Sequence, residues 1–417
     1  MKLDRSQSPS VHPVGQVALP EIKHLKNING VNIYYHHTPK TGTFKLELFN
    51  KGSQWFSNNA AECHLSLKML KEGTHSKSAK QFSEELDGLG SFLEITPGFD
   101  NSSISIFGLS RFFSQNVSLL NELITEPAFK QKSLSKLKRK EIDRLNQNKE
   151  KGSYLASTNL RNSIFGSQHP YGHVLNENDI DKLTVQEIND FHENQVKSFD
   201  LYISGDIREE NLQLLDAFLS IKVNEIPDRP KPSESKNTEV RSLKFLQSSI
   251  KIGKRLFTRD NPDYFPFIVM NELLGGFFGS RLMKNIREEK GLTYGIHSQL
   301  YALNNEGYFF ISSEVKGENE ELVLSEIKKE ILNLASFPVE SEELTTVKNY
   351  MIGTYINSLS NPFSIIEKHK IQLSQNLSTA FYNNYINNVR SVSPTQIQKV
   401  ATQYLELESF AYSIVGS

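Results

Sequence analysis

The order of elements in this 417-residue chain repeats once, and that repeat restricts the possible folds more than any other feature of the sequence. A duplicated unit has to bury its apolar face twice, with the same layers in the same order. In the first half Leu86-Asp87-Gly88-Leu89-Gly90 leads into two alternating runs, LEITPGFD and SSISIFGL, and then an amphipathic helix, NVSLLNELITEP. In the second half Glu289-Lys290-Gly291-Leu292-Thr293-Tyr294-Gly295 leads into SQLYAL and GYFFISSEV, and then the helix ELVLSEIKKEILNLA. Both halves close on a helix and a strand, LTVQEINDFHENQVKSFDLYISGDI and VSPTQIQKVATQYLELESFAYSIVGS. Between them Pro227 to Glu239 (PDRPKPSESKNTE) carries three prolines and almost nothing apolar, the chemistry of a linker. The expected organisation is therefore a domain over 1–226, a linker over 227–240 and a domain over 241–417. Paired strands of period two separated by long helices, without a βαβ rhythm, indicate an α+β fold with mainly antiparallel sheets.

The formal net charge is -1, so no global field draws the chain to nucleic acid or to an anionic membrane. The one basic run, Lys130 to Lys140, reads as a solvated helix face. Cys63 is the only cysteine, which excludes an internal disulfide framework. The N-terminal run lacks the apolar core of a signal peptide, and no stretch of about eighteen apolar residues occurs. Cytoplasmic residence is the expectation, or periplasmic if a leader has been removed.

Residues 58–74 read NNAAECHLSLKMLKEGT, with Asn58-Asn59 suited to a helix start and Gly73 to its end. On such a helix His64, Leu67 and Lys68 are neighbours at i, i+3 and i+4. The segment resembles the zinc-binding helix of the pitrilysin/insulinase peptidase family, which includes mitochondrial processing peptidase and carries an inverted H-x-x-E-H motif followed by M-L-x-x-G-T. The tail is kept as Met69-Leu70-Lys71-Glu72-Gly73-Thr74, but the motif itself reads His64-Leu65-Ser66-Leu67-Lys68. By that resemblance His64 holds the place of the first imidazole, Leu67 that of the general base and Lys68 that of the second imidazole. An alkyl chain takes no proton, and an ammonium offers no lone pair. Counting back without gaps from the His169-Pro170-Tyr171-Gly172 loop puts the family's third ligand at Arg144, with Glu141 the nearest carboxylate. Each cation about 4 Å from a dication would cost its binding roughly 4 kcal/mol per unit charge at an effective dielectric near 20. The resemblance thus implies a degenerate zinc site, with no metal in this chain. Elsewhere His169 and His173 are separated by a helix-breaking Pro170, His36 and His37 point to opposite faces of a strand, and Cys63 reads as a small buried hydrophobe.

The second half is more closely similar to the family. NPDYFPFIVMNELLGGFFGSRLMKNIREEKGLTYGIHSQL follows its C-terminal segment nearly throughout, after a first strand that begins at Gln247-Ser248-Ser249-Ile250. Gly275, Gly276 and Gly279 match neither a P-loop nor a dinucleotide fingerprint and read as a tight helix entry, with Phe277 and Phe278 between them either lining a hydrophobic subsite or, the favoured reading, in the core. In the family an arginine on this helix and a tyrosine seven residues on hold the substrate backbone and polarise the scissile carbonyl. Those positions are Arg287 and Tyr294 here, both donors able to bind an oxygen that gains charge. The resemblance implies two homologous α/β-roll halves forming a half-clamshell. It also implies an inactive, substrate-binding subunit that works on the zinc of a paralogous partner and takes up extended peptide by edge-strand addition. A non-enzymatic structural or peptide-binding protein of the same fold is the alternative.

Overall fold

The computed structural model describes residues 14–219, 221, 239–243 and 245–416. The expected linker lies outside these residues except for Glu239 and Val240, which already belong to a strand. The first half runs β1 (Lys23–Ile28), β2 (Val31–His37), β3 (Thr43–Asn50), α1 (Ala60–Met69), α2 (Ala79–Gly88), β4 (Phe92–Thr96) and β5 (Ser102–Leu109). It continues through α3 (Phe113–Thr125), α4 (Gln131–Lys149), α5 (Gly152–Phe165), α6 (Glu177–Lys182), α7 (Val185–Phe191), β6 (Phe199–Gly205) and α8 (Asp216–Leu219). The second half comprises β7 (Glu239–Leu243), β8 (Gln247–Leu256), α9 (Tyr264–Asn271), β9 (Thr293–Ala302), β10 (Gly307–Lys316), α10 (Glu320–Ser336) and α11 (Ser341–Ser358). It ends with α12 (Pro362–Ser374), α13 (Ala380–Asn383), α14 (Tyr385–Ser391), α15 (Pro394–Tyr404) and β11 (Ala411–Gly416).

The strands form two sheets, ordered β1-β2-β6-β3-β5-β4 and β7-β11-β8-β10-β9. Without β1, the first sheet maps onto the second strand for strand. In each, one parallel pair (β2 with β6, β11 with β7) adjoins antiparallel neighbours. The first strand of the second half is β7, one strand earlier than the expected start at Gln247. It escapes detection because it follows the proline-rich stretch and lies at a sheet edge. The closing helices are built alike: Thr184 caps α7 and Ser393 caps α15, each in a reciprocal box with Glu187 or Gln396.

Each sheet covers one face with its own half's helices. Leu46, Leu48, Ile104, Ile106 and Leu120 are sealed in the first core, and Phe309, Ile311, Ile327 and Val400 in the second. Full burial of such side chains contributes about 1.5–3 kcal/mol apiece. The other faces exchange helices: α5 of the first half lies on β8 and β11, and α12 of the second lies on β6. The α5 approach is close enough that a Cβ on Gly152 would sit 2.7 Å from Ser249 Oγ. On the other side Lys370 of α12 bonds Glu47 of β3 at 2.7 Å, and both side chains are almost wholly buried. The two halves are thereby interlocked. Among the described residues, no helix is long and apolar enough to cross a membrane.

Candidate functional site

Asn59 starts α1 by accepting hydrogen bonds from the amides of Ala61 and Glu62 at 3.0 Å. The helix then divides its residues between two environments. Cys63 and Leu67 turn into the core beneath the first sheet, and Leu67 is completely buried. His64 and Lys68, each with a side chain 23% exposed, face α4. The position of the base is therefore occupied by a core residue as well as a non-basic one.

Opposite His64 and Lys68 stands Glu141, whose side chain is 3% exposed. Its Oε2 lies 2.9 Å from His64 Nε2, and its Oε1 accepts from Lys68 Nζ at 2.7 Å. The expectation that Arg144 takes the third-ligand place is corrected here. The residues of α4 that point inward are Leu134, Leu137, Glu141 and Leu145, a helical stripe that brings Glu141 in and turns Arg144 out. Arg144 stays on the rim, 56% exposed, with Nη1 3.7 Å from Glu141 Oε2. The same stripe leaves Lys136, Arg139 and Lys140 in solvent, as read from the sequence.

Burial alone would raise the Glu141 carboxyl. The bonds from His64 and Lys68 outweigh it and hold the group down at about 2. Burial lowers Lys68 below its ordinary value, and the pairing with Glu141 offsets that in part. The result is a closed triad in which one carboxylate is shared between an imidazole and an ammonium. A divalent cation does not fit: only His64 and Glu141 could donate to it, and Lys68 would repel it. Among the described residues, no group of three or more His, Cys, Asp or Glu converges as a metal requires.

The M-L-x-x-G-T tail has a structural explanation of its own. Gly73 adopts φ +108°, and a Cβ there would lie 2.5 Å from the Lys77 carbonyl. Thr74 is buried and bonds Glu122 through its hydroxyl. The turn anchors α1 whatever the metal site contains.

His169, His173 and His37 are held in structural contacts. His169 is buried and accepts from the Tyr171 amide at 3.0 Å, while His173 Nε2 lies 2.9 Å from Asp179. His37 pairs with the Tyr35 hydroxyl at 2.5 Å. Burial pushes the Cys63 thiol up to about 12, which leaves it un-ionised and without nucleophilic character at neutral pH.

Beside His64 opens a cavity of about 290 Å³, with Cys63, Phe99, Tyr154, Arg161 and His173 in its wall and no acidic side chain lining it. Arg161 is the residue that sequence reasoning passed over. Its Nε donates to the Tyr171 carbonyl at 3.2 Å, and its guanidinium lies 5.3 Å from the Phe99 ring. Among the described residues no carboxylate pairs with it, and burial holds it below the ordinary arginine range. Its place on α5, nine residues before the buried Pro170, was the only signal the sequence offered.

In the second half α9 passes into a wide π-type turn over Glu272–Gly276, and a second such stretch spans Met283–Glu289 and carries Arg287. The Arg287 guanidinium lies 4.7 Å from the Phe278 ring. Phe278 is 62% exposed, so its assignment to the core is corrected, whereas Phe277 does pack against the core. Gly279 closes the turn between them: a Cβ there would lie 2.8 Å from the Phe277 ring. Tyr294 opens β9, the edge strand of the second sheet, with 96% of its surface free.

Residues 182–351 match the family model described as peptidase M16 inactive domain. The chain is 22% identical to the non-peptidase homolog YmxG of Helicobacter pylori, over 92% of this chain and 90% of that protein. The crystal structure of a peptidase M16 inactive domain from Pseudomonas fluorescens superposes with a TM-score of 0.86 at 22% identity, covering 95% of this chain and 98% of that one. A protease from Helicobacter pylori also superposes with a TM-score of 0.86, at 17% identity, over 96% and 100% of the two chains. The shared fold is the two-halved α+β architecture described above.

Proposed function

This chain belongs to the pitrilysin/insulinase family of zinc metallopeptidases, and from that premise we propose that it is a catalytically inactive, substrate-binding subunit acting with a zinc-bearing paralogue. The observation that carries the reading is the contrast between its two marked sites. At the metal position Lys68 is bonded into Glu141, so the chain cannot supply zinc or a base. Tyr294 meanwhile stands on the surface and Arg287 is half-buried against the exposed Phe278 ring, where a second chain or an extended peptide can reach them. In this reading the partner contributes the metal, which activates water and polarises the carbonyl. Arg287 and Tyr294 hold the peptide backbone and donate to the oxygen that gains charge. The free edges β4 and β9 offer backbone groups to an extended substrate.

The test is hydrolysis of a quenched fluorescent peptide in zinc-containing buffer, by this chain alone, by the nearest H-x-x-E-H paralogue alone, and by the mixture. Cleavage is expected from the mixture only. Arg287→Ala in the mixture should lower kcat/KM by roughly 10²-fold, the scale of losing one transition-state donor, and Tyr294→Phe by less. A mixture no more active than the paralogue alone, or variants with unchanged rates, would overturn the proposal.

A further inference from the structure

A second cavity, of about 600 Å³, lies in the C-terminal half among α9, α11, α12 and the α13–α14 segment. Its wall is aromatic: Tyr264, Tyr350, Tyr355, Phe381, Tyr382 and Tyr385 all line it. Tyr355 and Tyr385 stack at 4.3 Å, and Tyr264 and Phe381 lie 5.7 Å apart. Two carboxylates also line it, Glu367 of α12 and Glu272 on the π-type turn that ends α9.

Glu272 has no partner among the described residues: neither a hydrogen bond nor an ion pair reaches it, and burial alone drives its carboxyl up to about 7. Room has been left for it: a Cβ on Gly276 would fall 2.5 Å from Glu272 Oε2. Its charge is felt by the neighbouring Tyr385. The other charged groups of the wall are engaged. Lys368 donates to Ser358 Oγ at 2.7 Å and lies 5.7 Å from the Tyr355 ring. Arg259 donates to the Ala302 carbonyl, and Glu367 is taken by Lys370 at 2.7 Å. The carboxylate left without a partner in this wall is therefore Glu272, which shares the cavity with electron-rich rings, an arrangement that suits an organic cation once the acid is ionised.

We propose that this cavity is a binding site for an organic ammonium group, with Glu272 as counter-ion and the Tyr264, Tyr355, Phe381 and Tyr385 rings as its walls. The ammonium can be carried by a small free amine or by a lysine side chain of a peptide. The site is independent of the subunit reading above: it shares no residue with Arg287, Tyr294 or the Lys68–Glu141 triad, and its test does not involve a partner chain.

The experiment is isothermal titration calorimetry on the full chain, buffered a unit above the Glu272 value of about 7. The probes are phenethylammonium, its neutral analogue 2-phenylethanol, the anion phenylacetate, and Nα-acetyl-lysine methylamide. Phenethylammonium should bind at least about tenfold more tightly than 2-phenylethanol, a difference near the upper range for a desolvated cation on aromatic faces. Glu272→Gln should erase that preference, and Tyr385→Leu should weaken the binding of both ammonium probes. Tighter binding of the lysine derivative assigns the ammonium to a peptide side chain, and tighter binding of phenethylammonium assigns it to a small amine; either supports the site. Because the charged and neutral probes are compared on the unmodified protein, the result does not depend on a variant folding. Equal affinity for the two, preference for phenylacetate, a preference that survives in Glu272→Gln, or no binding of either ammonium probe up to roughly 10 mM would overturn it.

Discussion

Two glutamates, one in each half, lie beside the helix that follows the second shared strand, Glu141 facing α1 from α4 and Glu272 standing at the end of α9, and they have opposite fates. Glu141 is clasped by His64 and Lys68 and held at about 2, while Glu272 has no partner and is pushed up to about 7. Both are withdrawn from water, so burial is common to both and does not separate them. The difference is the cation. Where the resemblance places a metal ligand, the first half has a lysine, and Glu141 is paired within the fold. The second half has kept a cavity and a carboxylate without filling either. An internal ammonium closes a site; an unpaired anion in an aromatic cavity holds one open.

The sharpest way to break this comparison is to remove the internal cation. In a Lys68→His variant, imidazoles at 64 and 68 would converge with Glu141, three donors suited to zinc. Stoichiometric zinc by metal analysis is expected from the variant. Its thermal midpoint should also rise with zinc, by the equivalent of about 2.7 kcal/mol at a hundred times the dissociation constant. The unmodified chain should show neither effect. Zinc uptake no greater than that of the unmodified chain would mean that Lys68 is not what excludes the metal. Next in size is Glu141→Gln, which leaves Lys68 without its counter-ion. Breaking a fully buried pair costs about 3–5 kcal/mol, and the partial exposure of His64 and Lys68 reduces this to about 2–3 kcal/mol in urea unfolding. The folded-state value of Glu141 is depressed, so its contribution is present above its unfolded value near 4.5 and is lost as pH falls toward 2. The destabilisation should therefore be full at neutral pH and vanish in acid. A variant equally destabilised across that range would deny the ion pair its role.

The repeat could be read from the sequence because period-two and helical spacing survive in both halves, down to the Ser/Thr-x-x-Glu/Gln boxes that open α7 and α15. The exchange of α5 and α12 between sheets could not be, since nothing local to a helix states which sheet it covers. Arg144 was misplaced by counting along the chain from the His169 loop. The stripe Leu134, Leu137, Leu145 in the same segment already identifies 141 as the inward position, and helical phase decides which side chain enters a site. Glu272 was passed over for a different reason. One acid in VMNELLGG carries no pattern, and the rings that give it meaning come from segments up to about a hundred residues further along. Arg161 is the same case, isolated in sequence and conspicuous only beside its cavity.

The smaller effects sharpen the comparison from the side of Glu272, where the sign should reverse. Its folded-state value is raised, so it costs the protein nothing below about 4.5, where it is protonated in both states. The cost grows as pH rises toward 7, because the unfolded chain ionises it more readily than the folded one. Glu272→Gln should therefore match the unmodified chain in acid and exceed it above pH 7, by about 1–2 kcal/mol after allowance for partial exposure. Glu141→Gln destabilises over the same range, so two urea titrations at each end of the pH scale are enough to see whether the curves diverge in opposite directions. A Glu272→Gln variant less stable than its parent at neutral pH would mean that the carboxylate has a partner within the fold and that the cavity is a packing defect. Gly276→Ala is the mildest probe. Its methyl group must displace the carboxylate from its niche, which should cost about 0.5–1 kcal/mol and lower the affinity for phenethylammonium without abolishing it. If Gly276→Ala alters stability and leaves that affinity untouched, the glycine serves the π-type turn alone and Glu272 is not held in place by it.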